Sequence, residues 1–250
     1  MHILFANDDG IDSVGLRTLV EEAVARGHRA TVCAPSRQQS AVSQALTLFS
    51  PIQVIPEEGY PGKNAYAVGG TPADCVRLGL GILAQAPVDL VISGINDGLN
   101  AGAAVYCSGT VGAAREAALQ GLKAMAVSVG RPADDAMRRA LAAYALTLGE
   151  RLIHYPAPPL SVLNVNAPGI PCGEWKPAVM ASLNRSLYVD EYERRTSPRG
   201  GTYFWVSAKA RQDPPEINSD DYFLQNGHIT CTFLLHPGEQ SRKYQDFLQA

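Results

Sequence analysis

The sequence predicts an α/β protein: a doubly wound, mostly parallel sheet with a β-rich C-terminal extension that serves oligomerisation. Three observations lead there. Short, solidly apolar runs alternate with amphipathic stretches through the first 168 residues, the rhythm of βα units whose strands are buried on both faces. Polar segments follow several of these runs. After Pro168 the rhythm stops, and proline, charge and aromatic residues replace it. The reading is a single α/β domain over 1–250, with its core over 1–168 and the extension over 169–250.

Residues 3–6 (Ile-Leu-Phe-Ala) make the first strand, and Asn7-Asp8-Asp9-Gly10 is its polar end. A helix follows over 14–25, with Leu16, Leu19, Val20 and Val24 on one face and Gly27 beyond its end. Residues 30–34 form a second strand, stopped by Pro35, so a βαβ unit is complete and its strands run parallel. The polar loop over 36–44 therefore lies at the same rim as Asp8 and Asp9. Short strands and turns fill 46–68, a hairpin excursion from the sheet. Thr71 then caps a helix that carries Pro72 at its first position and reaches about residue 84.

An apolar strand over 88–92 runs into a polar, glycine-rich loop over 93–100. Cys107-Ser108-Gly109-Thr110 precedes a helix over 111–119 with small residues in its first turn. A strand over 124–129, a helix over 133–153 and a strand over 161–165 complete the core. In the extension, 203–206 and 229–233 are strands, the second entered through an Asn226-Gly227 turn, and 244–248 is a last short helix.

In an open α/β sheet, ligands bind beyond the carboxyl ends of the strands. Three such ends converge here: Asp8 with Asp9, the 36–43 loop and the 93–100 loop, with a helix N-terminus at 108–110 facing them. Adjacent carboxylates repel unless a cation or hydrogen bonds compensate them. Carboxylates joined by hydroxyl and amide oxygens make an all-oxygen set suited to one divalent cation, Mg²⁺ or Mn²⁺. Beside an anion-binding helix end, such a metal polarises a phosphoryl group and activates water. That chemistry is hydrolysis of a phosphate ester. Two plainer readings compete: Asp9 or Asp12 as the cap of the first helix, and Ser108 or Thr110 as the cap of the later one.

Other phosphate chemistries lack their residues. There is no G-x-x-x-x-G-K-[ST], and no G-x-G-x-x-G at the first βα turn. Adjacent Asp8-Asp9 is not the D-x-D of a phosphoaspartate-forming phosphatase, and Ser93-Gly94-Ile95-Asn96 offers no phosphoacceptor aspartate of a receiver domain. Cys107 has no C-x₅-R loop, and the five histidines form no ligand spacing. A net charge of −3 excludes a general basic field for duplex nucleic acid. Five scattered cysteines without C-x-x-C suit reduced thiols. Met1-His2 leads straight into the first strand, and no run approaches the ~18 apolar residues of a membrane span, so the expectation is a cytoplasmic protein with no membrane contact.

Five motifs then come in a specific order: Asn7-Asp8-Asp9-Gly10; Ala34-Pro35-Ser36-Arg37 with Ser40; Gly69-Gly70-Thr71-Pro72-Ala73-Asp74-Cys75-Val76; Ser93-Gly94-Ile95-Asn96; and Tyr106-Cys107-Ser108-Gly109-Thr110-Val111. In that order they resemble the SurE (survival protein E) nucleotidases. The match is dense to about residue 130 and returns faintly at Ser219-Asp220 and Gly227-His228-Ile229-Thr230. The resemblance implies a Rossmann-like core and a divalent-metal-dependent phosphatase, a phosphoric monoester hydrolase of nucleoside 5′- and 3′-monophosphates that also trims short polyphosphate. It also implies a homodimer or homotetramer with exchanged C-terminal arms. Carried over by position, the metal ligands are Asp8, Asp9, Ser40 and Asn96, and Asn7, Ser108, Gly109 and Thr110 lie at the phosphate. Asp8 or Asp9 is then the proton acceptor in catalysis. The chain departs from the family pattern at Ser36, at Ser13-Val14-Gly15 and at Asp97-Gly98-Leu99-Asn100, without losing a ligand. Asp97 adds a negative charge near the site. The alternative from another class is a non-catalytic, nucleotide-binding regulatory module.

Overall fold

The computed structural model describes residues 1–62, 64–185, 188–210 and 214–235. The first βαβ unit is β1 (His2–Ala6), α1 (Val14–Ala25) and β2 (Arg29–Pro35). A short hairpin, β3 (Val54–Pro56) and β4 (Ala65–Val68), precedes α2 (Pro72–Leu78). β5 (Leu90–Asp97), α3 (Gly109–Leu119), β6 (Lys123–Val129), α4 (Asp135–Leu152) and β7 (Val162–Ala167) continue the alternation. The C-terminal part holds β8 (Lys176–Met180), β9 (Tyr188–Thr196), β10 (Thr202–Ala210), α5 (Asp220–Gln225) and β11 (His228–Leu234). The helix expected over 244–248 lies outside the described residues.

Why β1 is solidly apolar is now physical. Ile3 and Phe5 enter one hydrophobic cluster with α1 and α4, while Leu4 and Ala6 enter another with α2 and α3. Both faces of the strand are covered, so its one polar residue, His2 at the start, is buried with hydrogen-bond partners, Pro87 and Thr31. The main sheet runs β3-β4-β2-β1-β5-β6-β7-β11-β8, and β4 through β7 pair in parallel. From β1 the chain winds outward to β2, then returns to β5 on the other side. The order reverses between β1 and β5, the switch point where doubly wound sheets hold ligands. Asp8, Asp9 and the end of β5 all sit there.

Three local features differ from the sequence reading. β5 does not stop at Ile92; it carries on to Asp97 through a register shift between Ser93 and Asn96. Gly94 makes this possible: at φ 138° it packs against the Val127 carbonyl, where a Cβ would come within 2.3 Å of the oxygen. The bulge turns a motif that reads as loop into a bent strand end. α2 gives way at Leu78 to a π-helical turn over Gly79–Leu83, and a 3₁₀ turn over Gly102–Tyr106 leads into α3. β8 and β11 join the edge of the main sheet, whereas β9 and β10 form a separate antiparallel ribbon. No described helix is long and apolar enough to cross a membrane.

Candidate active site

The rim beyond β1 and β5 opens into a cavity of about 550 Å³. Asp8, Asp9, Ser40, Asn96 and Ser108 line it, together with Asp97, Asn100, Cys107 and Arg131. The helix-cap alternative for Asp9 does not hold, because Ser13 is the N-cap of α1. Asn7 is fully buried and closes the loop on itself: its amide nitrogen donates to the Gly10 carbonyl at 2.9 Å, and its Oδ1 accepts the Gly10 N–H at 3.2 Å. The loop after β2 is pinned by the Gln39 N–H, which donates to the Asp8 carbonyl at 2.7 Å. That bond brings Ser40 to the carboxylates. Ser40 Oγ accepts from the Gln38 amide at 3.0 Å.

Asp8 is only 5 % exposed, and α3 meets it end-on. Thr110, fully buried, donates its hydroxyl to Asp8 Oδ1 at 2.5 Å. Burial pushes the Asp8 carboxyl up from its ordinary value, and the Thr110 hydroxyl with the backbone N–H groups of Thr110 and Gly109 pulls against it. A carboxylate thus takes the place at the helix N-terminus that anions favour. Gly109 permits the approach: a Cβ there would lie 2.8 Å from the Asp8 Cβ and 3.0 Å from the Gln39 carbonyl. Ser108 is the N-cap of α3, accepting the Val111 N–H at 3.1 Å, and it also faces the cavity. Asn7, Gly109 and Thr110 stand behind the lining.

Asp9 is less buried than Asp8. Its carboxyl is also raised, first by burial and then by the charge of Asp8, with Asp97 adding to it and Arg131 opposing. Asp9 Oδ2 accepts the Asp97 N–H at 3.4 Å. Asn96 donates from Nδ2 to the Gly98 carbonyl at 2.7 Å, which leaves Oδ1 as its ligand end. Two desolvated, mutually repelling carboxylates facing a hydroxyl and an amide oxygen make a donor set that fits a hard divalent cation, which would reverse the cost of their burial. Among the described residues no group of three or more His, Cys, Asp or Glu side chains gathers as a metal site, so the charged part of any ligand set here is the two carboxylates.

The family model described as survival protein SurE matches residues 3–190. The chain belongs to the SurE family. The 5′-nucleotidase SurE of a Nostoc strain is 38% identical, over 94% of this chain and 92% of its own length. The 5′-nucleotidase SurE of a Synechococcus strain is 41% identical over 94% and 91% respectively. Among solved structures, the SurE protein of Aquifex aeolicus superposes with a TM-score of 0.82 at 30% identity, covering both chains completely.

In this SurE chain three residues at or behind the cavity wall have roles that the sequence does not assign. Arg131 follows β6, another parallel strand ending at the same rim, and that topology was the signal for it. Arg138, on α4, clamps Asp97 through Nε to Oδ1 at 3.1 Å and Nη2 to Oδ2 at 2.5 Å. Asn100 is the hub of a buried network. Its N–H and Nδ2 donate to Asn166 Oδ1 and Ser128 Oγ, each at 2.8 Å, and its carbonyl accepts from Asn164 at 2.8 Å and Asn166 at 3.1 Å. The network ties the cavity wall to the ends of β6 and β7. No sequence spacing signals it, because its members come from three separate segments.

Proposed function

We propose that this protein is a divalent-metal-dependent 5′-nucleotidase that hydrolyses nucleoside 5′-monophosphates, and 3′-monophosphates, to nucleoside and phosphate. The observation that carries the reading is the Asp8–Asp9 pair at the switch-point cavity, faced by Ser40 and Asn96, in a chain whose relatives are named for this activity. Asp8, Asp9, Ser40 and Asn96 would hold one Mg²⁺ or Mn²⁺. When bound, that cation supplies Lewis-acid polarisation of the phosphoryl group and a more acidic water.

The chain's own residues do the remaining work. Thr110 and the start of α3 orient Asp8 from behind. Asp9, the more accessible carboxylate, is the acceptor for the proton that leaves the attacking water. Ser108 offers its hydroxyl at the cavity wall toward the phosphate, and the Asn7 turn and Gly109 hold the frame. We further propose that the chain forms one domain and that the β9–β10 ribbon pairs copies into a dimer or tetramer.

The deciding experiment is release of inorganic phosphate from a panel of 5′- and 3′-nucleotides and short polyphosphate, with Mg²⁺ or Mn²⁺. Turnover of AMP or GMP is the expected result. Tight nucleotide binding without release of phosphate from any of them would make the protein a regulatory binding module instead.

A further inference from the structure

We propose that Arg131 is the residue that recognises the phosphate group of the substrate, through a guanidinium whose direction is set by the backbone of Asp97. The inference rests on the nucleotidase reading and names a recognition residue within that site.

Charge balance is the first argument. The cavity is lined by Asp8, Asp9 and Asp97, and among the described residues Arg131 is the one cationic side chain in its lining. Asp97 is already neutralised, because Arg138 holds both of its carboxylate oxygens. A phosphate dianion entering beside Asp8 and Asp9 needs positive charge beyond what balances those two carboxylates. The obvious protein source, the N-terminus of α3, is turned onto Asp8, whose carboxyl takes the Thr110 hydroxyl and packs against Gly109. Arg131 is the remaining source.

Geometry is the second. Arg131 Nε donates to the Asp97 carbonyl at 2.7 Å, and neither terminal nitrogen has a hydrogen-bond partner among the described residues. A guanidinium held by Nε presents its two terminal nitrogens outward as a fork, the arrangement that grips two oxygens of a phosphate. The same Asp97 gives its N–H to Asp9, so one residue sets the position of the fork and of a carboxylate at the reacting centre. Arg131 lines the same cavity as Asp9, yet no ion pair joins it to Asp9 or to any other carboxylate among the described residues. Its charge is therefore available to a ligand.

The test uses Arg131→Gln and Arg131→Lys in the full chain. The side chain is exposed, so both variants should melt near wild type. With saturating Mn²⁺, Arg131→Gln should raise KM for AMP and the inhibition constant of inorganic phosphate, each roughly tenfold to a hundredfold. Arg131→Lys should recover part of this, keeping the charge and losing the fork. Mn²⁺ affinity should stay the same or tighten, since removing a nearby cation cannot weaken binding of another. Unchanged KM and phosphate inhibition overturn the proposal, as does a parallel loss of Mn²⁺ affinity. Wild-type turnover separates the two readings: if no nucleotide releases phosphate, the nucleotidase reading fails. Calorimetric titration of inorganic phosphate into wild type and Arg131→Gln, both with Mg²⁺, then judges Arg131 alone, and equal affinity counts against it.

Discussion

Thr110 gives its hydroxyl to Asp8 across 102 residues of sequence, and both side chains are all but removed from solvent. In the sequence this threonine reads as a helix cap or a phosphate contact; in the structure its hydroxyl is spent on a carboxylate. Thr110→Val should therefore weaken Mn²⁺ binding by roughly tenfold to a hundredfold, the usual cost of losing a group that orients a ligand. KM for AMP at saturating Mn²⁺ should move little. Manganese titration followed by electron paramagnetic resonance reads the first, and steady-state kinetics the second. Normal metal affinity with a raised KM would return Thr110 to the phosphate.

Removing the cation should stop turnover, and restoring it should bring turnover back. Only two of the proposed ligands are charged, so affinity is modest and EDTA should strip the site. Asp8→Asn and Asp9→Asn should each lose metal and activity by at least the ~10–100-fold expected for changes one shell further out. Ser40→Ala and Asn96→Ala remove neutral oxygens, and excess Mn²⁺ should rescue part of their loss. Full activity of the wild type in chelator would sink the metal mechanism.

Gly109→Ala probes the contact between α3 and the first loop. The added methyl meets the Asp8 side chain at 2.8 Å and the Gln39 carbonyl at 3.0 Å, so one of them must yield. Overpacking of this kind costs about 1–3 kcal/mol. Urea unfolding should show that loss, and Mn²⁺ affinity should fall with it as Asp8 is displaced. A variant as stable and as tight for metal as wild type would mean that the loop gives way freely.

The ribbon of β9 and β10 exposes Tyr192, Phe204, Trp205 and Val206, each about 60 % accessible. Neighbours along β10 point to opposite faces, so both faces carry apolar surface that a single copy leaves in water. Deleting residues 190–207 should give a smaller species by light scattering. An unchanged mass would refute a role in assembly.

Asp74 links stability to pH. It closes a capping box with Thr71 and accepts the Thr47 N–H at 3.0 Å. Burial raises its carboxyl, but the hydrogen bonds from Thr47 and Thr71 together outweigh that and hold it below the ordinary value. The folded carboxyl is thus the stronger acid. Its contribution is complete above the ordinary carboxylate value, near neutral pH, and is lost as pH falls through the depressed one. Asp74→Asn should cost about 1 kcal/mol at neutral pH, the size of a lost cap. It should also flatten the acid limb of the stability curve. Urea titrations at neutral and acid pH measure both effects, and equal losses at the two pH values would remove Asp74 from that limb.

Much of this arrangement was legible in one dimension. Strands β1, β2 and β6 could be read because each is a mostly apolar run, and a strand with helices on both faces has few polar positions to show. Asp8 and Asp9 could be placed at the rim because they follow such a run directly. β5 looks shorter in the sequence than it is, since Ser93 and Gly94 resemble an ending. The chain keeps pairing there because Gly94 fits against Val127, a neighbour supplied by another strand. The β9–β10 ribbon shows in the sequence as charge and aromatics beyond the core, but its pairing of Trp205 with Glu193 has no signal there.

By itself, the sequence determined the βα order, the family and the position of two carboxylates at the end of the first strand. These are local properties: periodicity, punctuation and adjacency along the chain. Only the tertiary structure decided how the site's side chains are shared out. It turned Thr110 and the start of α3 onto Asp8, closed Asn7 on its own turn, and left the terminal nitrogens of Arg131 without a hydrogen-bond partner among the described residues. Each outcome except the Asn7 turn depends on a contact between segments far apart in the chain. The parallel strand order brings those segments together, and the space left by glycines at their crossing points sets how closely they meet.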